Sequence, residues 1–313
     1  MKYVLKKTGI LIITLILISL LAFLAFQIIP GDPVTKILGT DYTPQKAEAL
    51  REQLGLNGNF FERYFRWMKG LVMGDPGISY SYFMPVKEVL KGKVSLTATL
   101  SLISWVIVTL ISIPLGIIMV RYQNETFRRI SVALNQIFMA IPPFFLGMLL
   151  AYLFGLVLKV FTPGVYVPLD QNFGKALVYL LFPALAISLP KAAKVAKLLH
   201  ASIQDEMNKD YVRTAYSRGN SRWAVIRVHV LRNALLPTIT YIAMTLADIV
   251  AGSIVVEQVF ALPGLGRLLI SSIGNRDFPV AECIVVIIAF VVVFMNYLAD
   301  IVTQYIDPRV RLG

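Results

Sequence analysis

Residues that build metal centres, disulfides and many catalytic sites are almost absent from this sequence. Its 313 residues include one cysteine, Cys283, and two histidines, His200 and His229. A single cysteine excludes an intrachain disulfide framework, and so few Cys and His residues exclude a Cys/His metal cluster. Cys283 lies in an apolar run, where a thiol behaves as a small buried hydrophobic group. We therefore expect no metal site in this chain.

Charge is scarce as well, and negative charge most of all. Charged residues make up 15% of the chain and hydrophobic residues 57%, with 30 Lys and Arg against 18 Asp and Glu. A soluble domain of this composition would expose too much apolar surface, so the sequence predicts a membrane protein. The net charge of +12 then indicates basic cytoplasmic loops rather than nucleic-acid binding, for which no fold signature is present.

Three catalytic motifs are also missing. The sequence contains no G-x-x-x-x-G-K-[ST] phosphate loop, no H-E-x-x-H and no G-x-S-x-G. We expect that the chain is not an enzyme, has no catalytic residue and binds no cofactor of its own. An intramembrane enzyme and a self-sufficient channel or carrier remain as alternatives. The lack of an internal repeat counts against a complete secondary carrier.

Six apolar runs approach the length of about 20 residues that a membrane-spanning helix needs. They are residues 9–29, 94–120, 130–158, 176–190, 233–256 and 280–299. The first is longer than the apolar region of about 7–15 residues in a signal peptide, so we predict a retained anchor. The third is interrupted by Pro142 and Pro143. The fourth is short, but Lys191, Lys194 and Lys197 follow it and can extend the span.

The distribution of positive charge orients these six spans. With the N-terminus inside, segments 1–8, 121–129, 191–232 and 300–313 hold 3, 3, 9 and 2 Lys and Arg residues. The short outside loops 159–175 and 257–279 hold 2 each. Long segments such as 30–93 contribute little to orientation. We predict an all-α polytopic fold with both termini cytoplasmic and a long extracytoplasmic segment after the first helix.

We divide the chain into an N-terminal part, 1–93, and a five-helix core, 94–313. The N-terminal part contains two helical stretches outside the membrane. In "TPQKAEALREQLGL", Thr43 is the expected N-cap, Pro44 the first helical residue and Gly55 the stop. The second, "NFFERYFRWMKGLVMG", is aromatic and amphipathic. It is interpreted as a helix on the membrane surface or on the protein's own roof, or as a contact for an outside partner.

A basic stretch, "DYVRTAYSRGNSRWAVIRVHVLRNALLP" at 210–237, separates the fourth and fifth apolar runs. Residues 209–218 have helical character, Gly219 is placed as a left-handed stop, and Asn220 and Ser221 provide the turn and the next N-cap. A second helix then starts at Arg222 and continues into the fifth span. The first helix is too short to be stable alone in water, so we expect it to dock on a surface.

The side chains available for docking are of two kinds. Tyr211, Ala215 and Tyr216 offer aromatic and small contacts, whereas Arg213 and Arg218 offer donors to carboxylates. Two simpler interpretations remain open, because cytoplasmic arginines also serve as orientation signals and bind anionic lipid.

The same stretch resembles the cytoplasmic EAA loop of ABC importer permeases, and more narrowly that of dipeptide, oligopeptide and nickel permeases. The E-A-A-x-x-x-G core appears as "RTAYSRG" at 213–219, with Arg213 and Thr214 in place of the glutamate and first alanine. Further matching motifs are "PGDP" (30–33), "LGL" (54–56), "GDPGISY" (74–80), "VVEQVFALPGLGRLL" (255–269), "RDFPV" (276–280) and "DPRVR" (307–311). The long outside segment resembles the B-type member of the permease pair.

The resemblance implies a fold, partners and site residues. The helix at 210–219 would couple the permease to an ATP-hydrolysing subunit, through Asp210, Tyr211, Arg213, Ala215, Tyr216, Arg218 and Gly219. The implied partners are a homologous second permease, two ATP-binding cassette subunits that bind ATP and Mg²⁺, an extracytoplasmic substrate-binding protein and the lipid bilayer. The implied location is a bacterial or archaeal plasma membrane. The implied substrates are di- or oligopeptides, with nickel or a nickel chelate as the alternative.

Polar residues inside the apolar spans are the remaining candidates. Asp248 lies within the fifth span, where a charge costs about 2.5–3.5 kcal/mol on insertion scales, so it should face the bundle or a watery path. It is interpreted as a path or gate residue, or as a hydrogen-bonding group between helices. Asn296, Asp300 and Gln304 form a stripe at helical spacing on the last span, which we expect to face the partner permease or the cytoplasmic vestibule.

Overall fold

The computed structural model describes residues 2–28, 32–122, 124–168 and 171–306. All regular elements in these ranges are helical, and one isolated antiparallel bridge joins Ile78 to Pro85. The α-helices are α1 (Lys2–Ile28), α2 (Pro33–Leu38), α3 (Pro44–Gln53), α4 (Phe60–Val72), α5 (Val86–Leu90), α6 (Lys93–Arg121), α7 (Glu125–Ala140), α8 (Pro143–Leu150), α9 (Phe173–Met207), α10 (Asp210–Ser217), α11 (Arg222–Val225), α12 (Leu231–Val259), α13 (Leu265–Asn275) and α14 (Phe278–Ile306). The predicted all-α class is confirmed.

Five helical stretches in the described part are long and apolar enough to cross a membrane. They are Val4–Ile28, Val86–Arg121, Phe173–Met207, Arg222–Val259 and Phe278–Gln304. A sixth span is obtained if Glu125–Ala140 and Pro143–Val157 count as one, since the two are bent by 99° at their junction. Pro142 and Pro143 stand at that junction. The helix breaks there because a proline disfavours helical backbone at the residue before it and removes a helical hydrogen-bond donor. The predicted six spans therefore include this bent pair.

The fourth span extends beyond its apolar run 176–190, in the direction that the following lysines indicate. Helix α9 does not stop at Pro190; it includes Pro183 and Pro190 and continues to Met207. A helix in a packed bundle tolerates proline because its neighbours and local adjustments satisfy the freed backbone groups. The extension carries the basic positions 191, 194 and 197, with Lys194 and Lys197 exposed.

One compact unit contains Met1–Thr97 together with Pro263–Val293. Within it, Thr43 caps α3 by accepting a hydrogen bond from the Lys46 N–H, and Gly55 adopts φ +66°, as predicted. Helix α4 packs its aromatic face on α1. The central residue of this contact is Phe23 of α1. Its ring centroid lies 5.4–5.6 Å from those of three α4 residues, Phe60, Tyr64 and Trp67. Of the interpretations of α4, packing on the protein itself is therefore observed.

The other compact unit contains Ala98–Leu262 and Phe294–Gly313. Helix α9 packs here against α7, α8 and α12. The indole N–H of Trp105 on α6 donates to the Ile242 carbonyl on α12 at 2.8 Å. Residues 263–293 belong with the N-terminal unit, so these units differ from the contiguous parts 1–93 and 94–313 predicted above. That division remains a prediction.

Candidate functional site

The basic stretch folds as a helix, a tight turn and a second helix, as the sequence predicts. Helix α10 (Asp210–Ser217) is followed by Arg218 and by Gly219 at φ +80°. Ser221 then caps α11 by accepting from the Ala224 N–H at 3.4 Å. A π-helical segment, Ile226–Val230, leads from α11 into α12. The Asn220 side chain closes the turn by donating to the Ala215 carbonyl at 3.0 Å.

The inner face of α10 is fixed to the core of its own unit. Val212 is 1% exposed and Ala215 6% exposed. Both belong to a buried cluster whose other members come from α6, α9, α11, the π segment and α12: Val120, Leu199, Ile203, Val225, Ile226, Val230 and Ala234. Ala215 therefore positions the helix, and its contact with a partner stays a prediction. The sequence signal for this face is the spacing of three residues between Val212 and Ala215.

The outer face of α10 carries charge and an aromatic ring. Asp210, Arg213, Tyr216 and Arg218 are all exposed. Arg213 and Asp210 form an ion pair with an N–O distance of 3.8 Å, and their side chains are 81% and 98% exposed. Such an exposed pair contributes little to stability, so both groups remain available to a partner.

Tyr211 is held by its own chain on two sides. Its hydroxyl donates to the Glu206 carboxylate at 2.6 Å and accepts from the Asn233 amide at 3.3 Å. Burial, and then the hydrogen bond to Glu206, raise the pKa of Tyr211, while the Asn233 bond acts in the opposite direction. The phenol therefore links the end of α9 to the start of α12 and orients α10 between them.

Sequence reasoning missed a second support beneath the turn. The guanidinium of Arg121, at the end of α6, lies 4.8 Å from the ring centroid of Trp223 on α11. A cation over an indole face is a favourable arrangement. The polar setting of Trp223 in the sequence was a signal of it, but the partner is about a hundred positions away and could not be identified.

Asp248 is exposed on the surface that this chain presents by itself. Within the described part of the chain, it has neither a hydrogen bond nor an ion pair that would join two helices. Lys191 on α9 and Tyr241 on α12 are close enough to interact with its charge. The interhelical hydrogen bond that we considered is therefore not observed among the described residues.

The predicted stripe on the last helix is only partly covered by its own unit. Asn296 is exposed, while Asp300 and Gln304 are partly exposed. The covered side of α14 includes Ala299, which is 2% exposed, and Thr303, whose hydroxyl bonds that of Thr240 on α12 at 3.2 Å. The stripe thus lies beside the face that packs on α12.

Two of the quoted motifs meet in the N-terminal unit. The buried carboxylate of Asp277, in "RDFPV", accepts hydrogen bonds from the backbone of Tyr80 and Ser81 and from the Ser79 hydroxyl, all in or next to "GDPGISY". In "PGDP", Asp32 caps α2 and forms an ion pair with Arg51. Residues 30–31 and the motif at 307–311 lie outside the described residues.

The whole chain is similar to membrane components of transport systems. Residues 112–312 match the family described as binding-protein-dependent transport system inner membrane component, and residues 1–100 match the N-terminal membrane component of such systems. A putative peptide transport system permease of Brucella abortus is 32% identical over 98% of both chains. The oligopeptide permease AppB of Bacillus subtilis is 32% identical over 99% of both, as is the glutathione permease GsiC of Escherichia coli.

A solved structure shows a similar fold. A chain of the inward-facing MetNI methionine ABC transporter aligns with a TM-score of 0.58 at 17% identity. The alignment covers 71% of the present chain and 97% of the MetNI chain. At this level of identity the comparison supports the fold alone.

Proposed function

Because the chain belongs to the family of inner membrane components of binding-protein-dependent transport systems, we propose that it forms half of the translocation path of an importer of short peptides. The chain is a multi-pass permease subunit of the inner membrane. The observation that carries the peptide assignment is full-length similarity to peptide, oligopeptide and glutathione permeases. None of these three relatives is named for nickel, so peptides are the preferred substrate class.

The proposed complex contains this chain, a homologous second permease, two ATP-binding cassette subunits and an extracytoplasmic binding protein. ATP and Mg²⁺ would be bound by the cassette subunits. Helix α10 supports this proposal because it is seated on its own core by Val212 and Ala215 and leaves Arg213 and Arg218 exposed. A rigid helix with exposed donors is suited to a groove that presents carboxylates.

Asp248 is proposed to face the translocation path or the second permease. An acidic side chain in a spanning helix would be costly against lipid, at about 2.5–3.5 kcal/mol. Because its own chain leaves Asp248 exposed, another subunit or a water-filled path must surround it in the assembled transporter. Asn296 is also exposed, so we assign it to the same path or subunit contact. Asp300 is included because it lies on the same stripe.

The coupling proposal is tested by uptake of a labelled dipeptide into proteoliposomes that contain the complete transporter and its binding protein. The double variant Arg213→Ala/Arg218→Ala should reduce uptake at least tenfold while ATP hydrolysis continues, because loss of a single charged hydrogen bond of about 1.5–3 kcal/mol is sufficient for that change. Arg129→Ala on α7 is the matched control, since that arginine is also exposed in a predicted cytoplasmic segment. Unchanged uptake in the double variant would contradict the assignment of these contacts.

The substrate class is tested separately on the binding protein. We expect it to bind members of a dipeptide and oligopeptide library and not nickel chelates. Binding of a nickel chelate without binding of any peptide would replace the peptide assignment with the nickel alternative. In the uptake assay, Asp248→Asn should transport more slowly than wild type, and Asp248→Leu more slowly still, if the side chain faces water.

A further inference from the structure

The N-terminal unit contains a cavity of about 540 Å³ that the coupling mechanism does not use. Its walls come from the end of α1, from α4, from the loops after α3 and α4, and from the start of α14. Small-molecule sites have volumes of about 300–1,000 Å³, so the cavity is in the range of a small ligand. All its lining residues belong to this one unit.

A buried carboxylate lines the cavity. Glu282 on α14 is only 4% exposed. Among the described residues, Glu282 makes neither a side-chain hydrogen bond nor an ion pair. Burial without a partner favours the neutral form of a carboxyl group, and an ammonium group placed beside it would stabilise the charged form. Glu282 is therefore suited to a positively charged group brought by a ligand.

The surrounding walls suit an organic cation. Four aromatic side chains line the cavity, those of Phe23, Trp67, Tyr80 and Phe278. Aromatic faces attract ammonium groups within about 6 Å, and more strongly where water is excluded. The cavity thus combines a buried carboxyl group with aromatic faces.

Basic residues complete the polar part of the lining. Arg66 and Lys69 are exposed, and Arg63 is partly exposed. Arg63 also interacts electrostatically with Glu282, without forming an ion pair within 4 Å. A ligand with an ammonium group at Glu282 would therefore have its own negative end near a positive surface.

We propose that this cavity binds the free amino terminus of a short peptide, with its ammonium group at Glu282 and its carboxylate towards Arg66 and Lys69. The choice of a peptide rests on the proposed function, whereas the recognition of a primary ammonium rests on the cavity alone. The lining residues of the cavity include neither Asp248 nor any residue of the coupling helix, so the proposed site uses residues other than those assigned to transport.

The test is equilibrium dialysis of a labelled dipeptide against the complete transporter without its binding protein, in nanodiscs of phosphatidylglycerol, which contain no amine. Wild type should bind the free peptide at least tenfold more tightly than its N-acetylated form. Glu282→Gln should remove this preference. Glu52→Gln is the matched control, because Glu52 is an exposed acid of the same unit and should leave binding unchanged. Thermal denaturation checks folding of each variant.

Three outcomes would overturn the proposal. They are equal binding of free and acetylated peptide, no binding by wild type, and unchanged binding by a folded Glu282→Gln variant. Native mass spectrometry distinguishes an amine-bearing lipid from a peptide as the bound ligand. Phosphatidylethanolamine retained by wild type but not by Glu282→Gln, with no peptide binding, would identify a lipid headgroup instead. If the transporter binds the peptide at this site but takes up none, only the proposed transport function is overturned. If it takes up peptide without binding it at this site, only this inference is overturned.

Discussion

The Asp277 carboxylate accepts a hydrogen bond of 2.9 Å from the backbone N–H of Tyr80, which lies 197 positions earlier in the chain. The same side chain bonds the Ser79 hydroxyl and the Ser81 N–H. Asp277 and Ser79 are fully buried. One carboxylate therefore fixes the loop after α4 to the turn between α13 and α14.

Replacing that carboxylate should destabilise the N-terminal unit. Asp277→Ala leaves buried N–H groups without an acceptor, and we expect a loss of about 3 kcal/mol in the free energy of unfolding. Ser79→Ala removes one bond and should lose about 1 kcal/mol. Thermal or denaturant unfolding of the purified chain measures both. Equal effects of the two variants would show that the carboxylate does not organise the loop.

A graded series at Gly219 tests the turn after α10. The residue has φ +80°, and a Cβ there would meet no atom within 4 Å, so any penalty comes from the backbone alone. We expect Gly219→Ala to lose about 1–2 kcal/mol, Gly219→Asn less and Gly219→Val more. Unfolding of the purified chain gives the order. An equal effect of Asn and Val would mean that the left-handed backbone is not retained.

Close packing of α6 on α9 gives a compensation test. A Cβ at Gly116 would lie 2.9–3.0 Å from three side-chain atoms of Leu199. Gly116→Ala should therefore destabilise by about 1–3 kcal/mol, and the double variant with Leu199→Ala should lose less than the sum of the two single changes. Gly252→Ala on α12 is the control, since a Cβ there meets nothing within 4 Å. Strict additivity would contradict the contact.

The ion pair between Asp32 and Arg51 should show a defined pH dependence. Burial acts to raise the pKa of Asp32, but hydrogen bonds from Arg51 and the Val34 N–H and the Arg51 charge lower it overall. A lowered folded-state pKa gives stability that is present above the unfolded value of about 3.9 and is lost as the pH falls through the folded value. The difference in melting temperature between wild type and Arg51→Gln should thus be seen at pH 6 and shrink below about pH 4. A difference independent of pH would contradict this origin.

Local features of the sequence predicted local structure well. A helical stretch followed by Gly219 and then Ser221 predicts a helix end and a new N-cap within a few residues. The structure has both. The same holds for Thr43 and Gly55 around α3. These signals are readable because the hydrogen bonds they make connect near neighbours.

Features that depend on distant partners were missed. The spacing of Val212 and Ala215 indicates one face of α10, but the core that buries this face is formed by distant residues of α6, α9, α11 and α12. Helix α9 continues past Pro190 to Met207, well beyond the apolar run from which the span was predicted. Glu282 was not singled out in the sequence, and only the fold places it in a cavity. The bond between Asp277 and Ser79 has no local signature at all.

The buried inner face of α10 has a consequence for the rate at which the transporter assembles. Segments that fold on binding lose conformational entropy at that moment, which weakens association. Val212 and Ala215 already order α10 before any partner is present, so the docking on an ATPase that we propose needs no folding step. Association should then be governed by diffusion and by the exposed arginines, and it should slow as ionic strength rises.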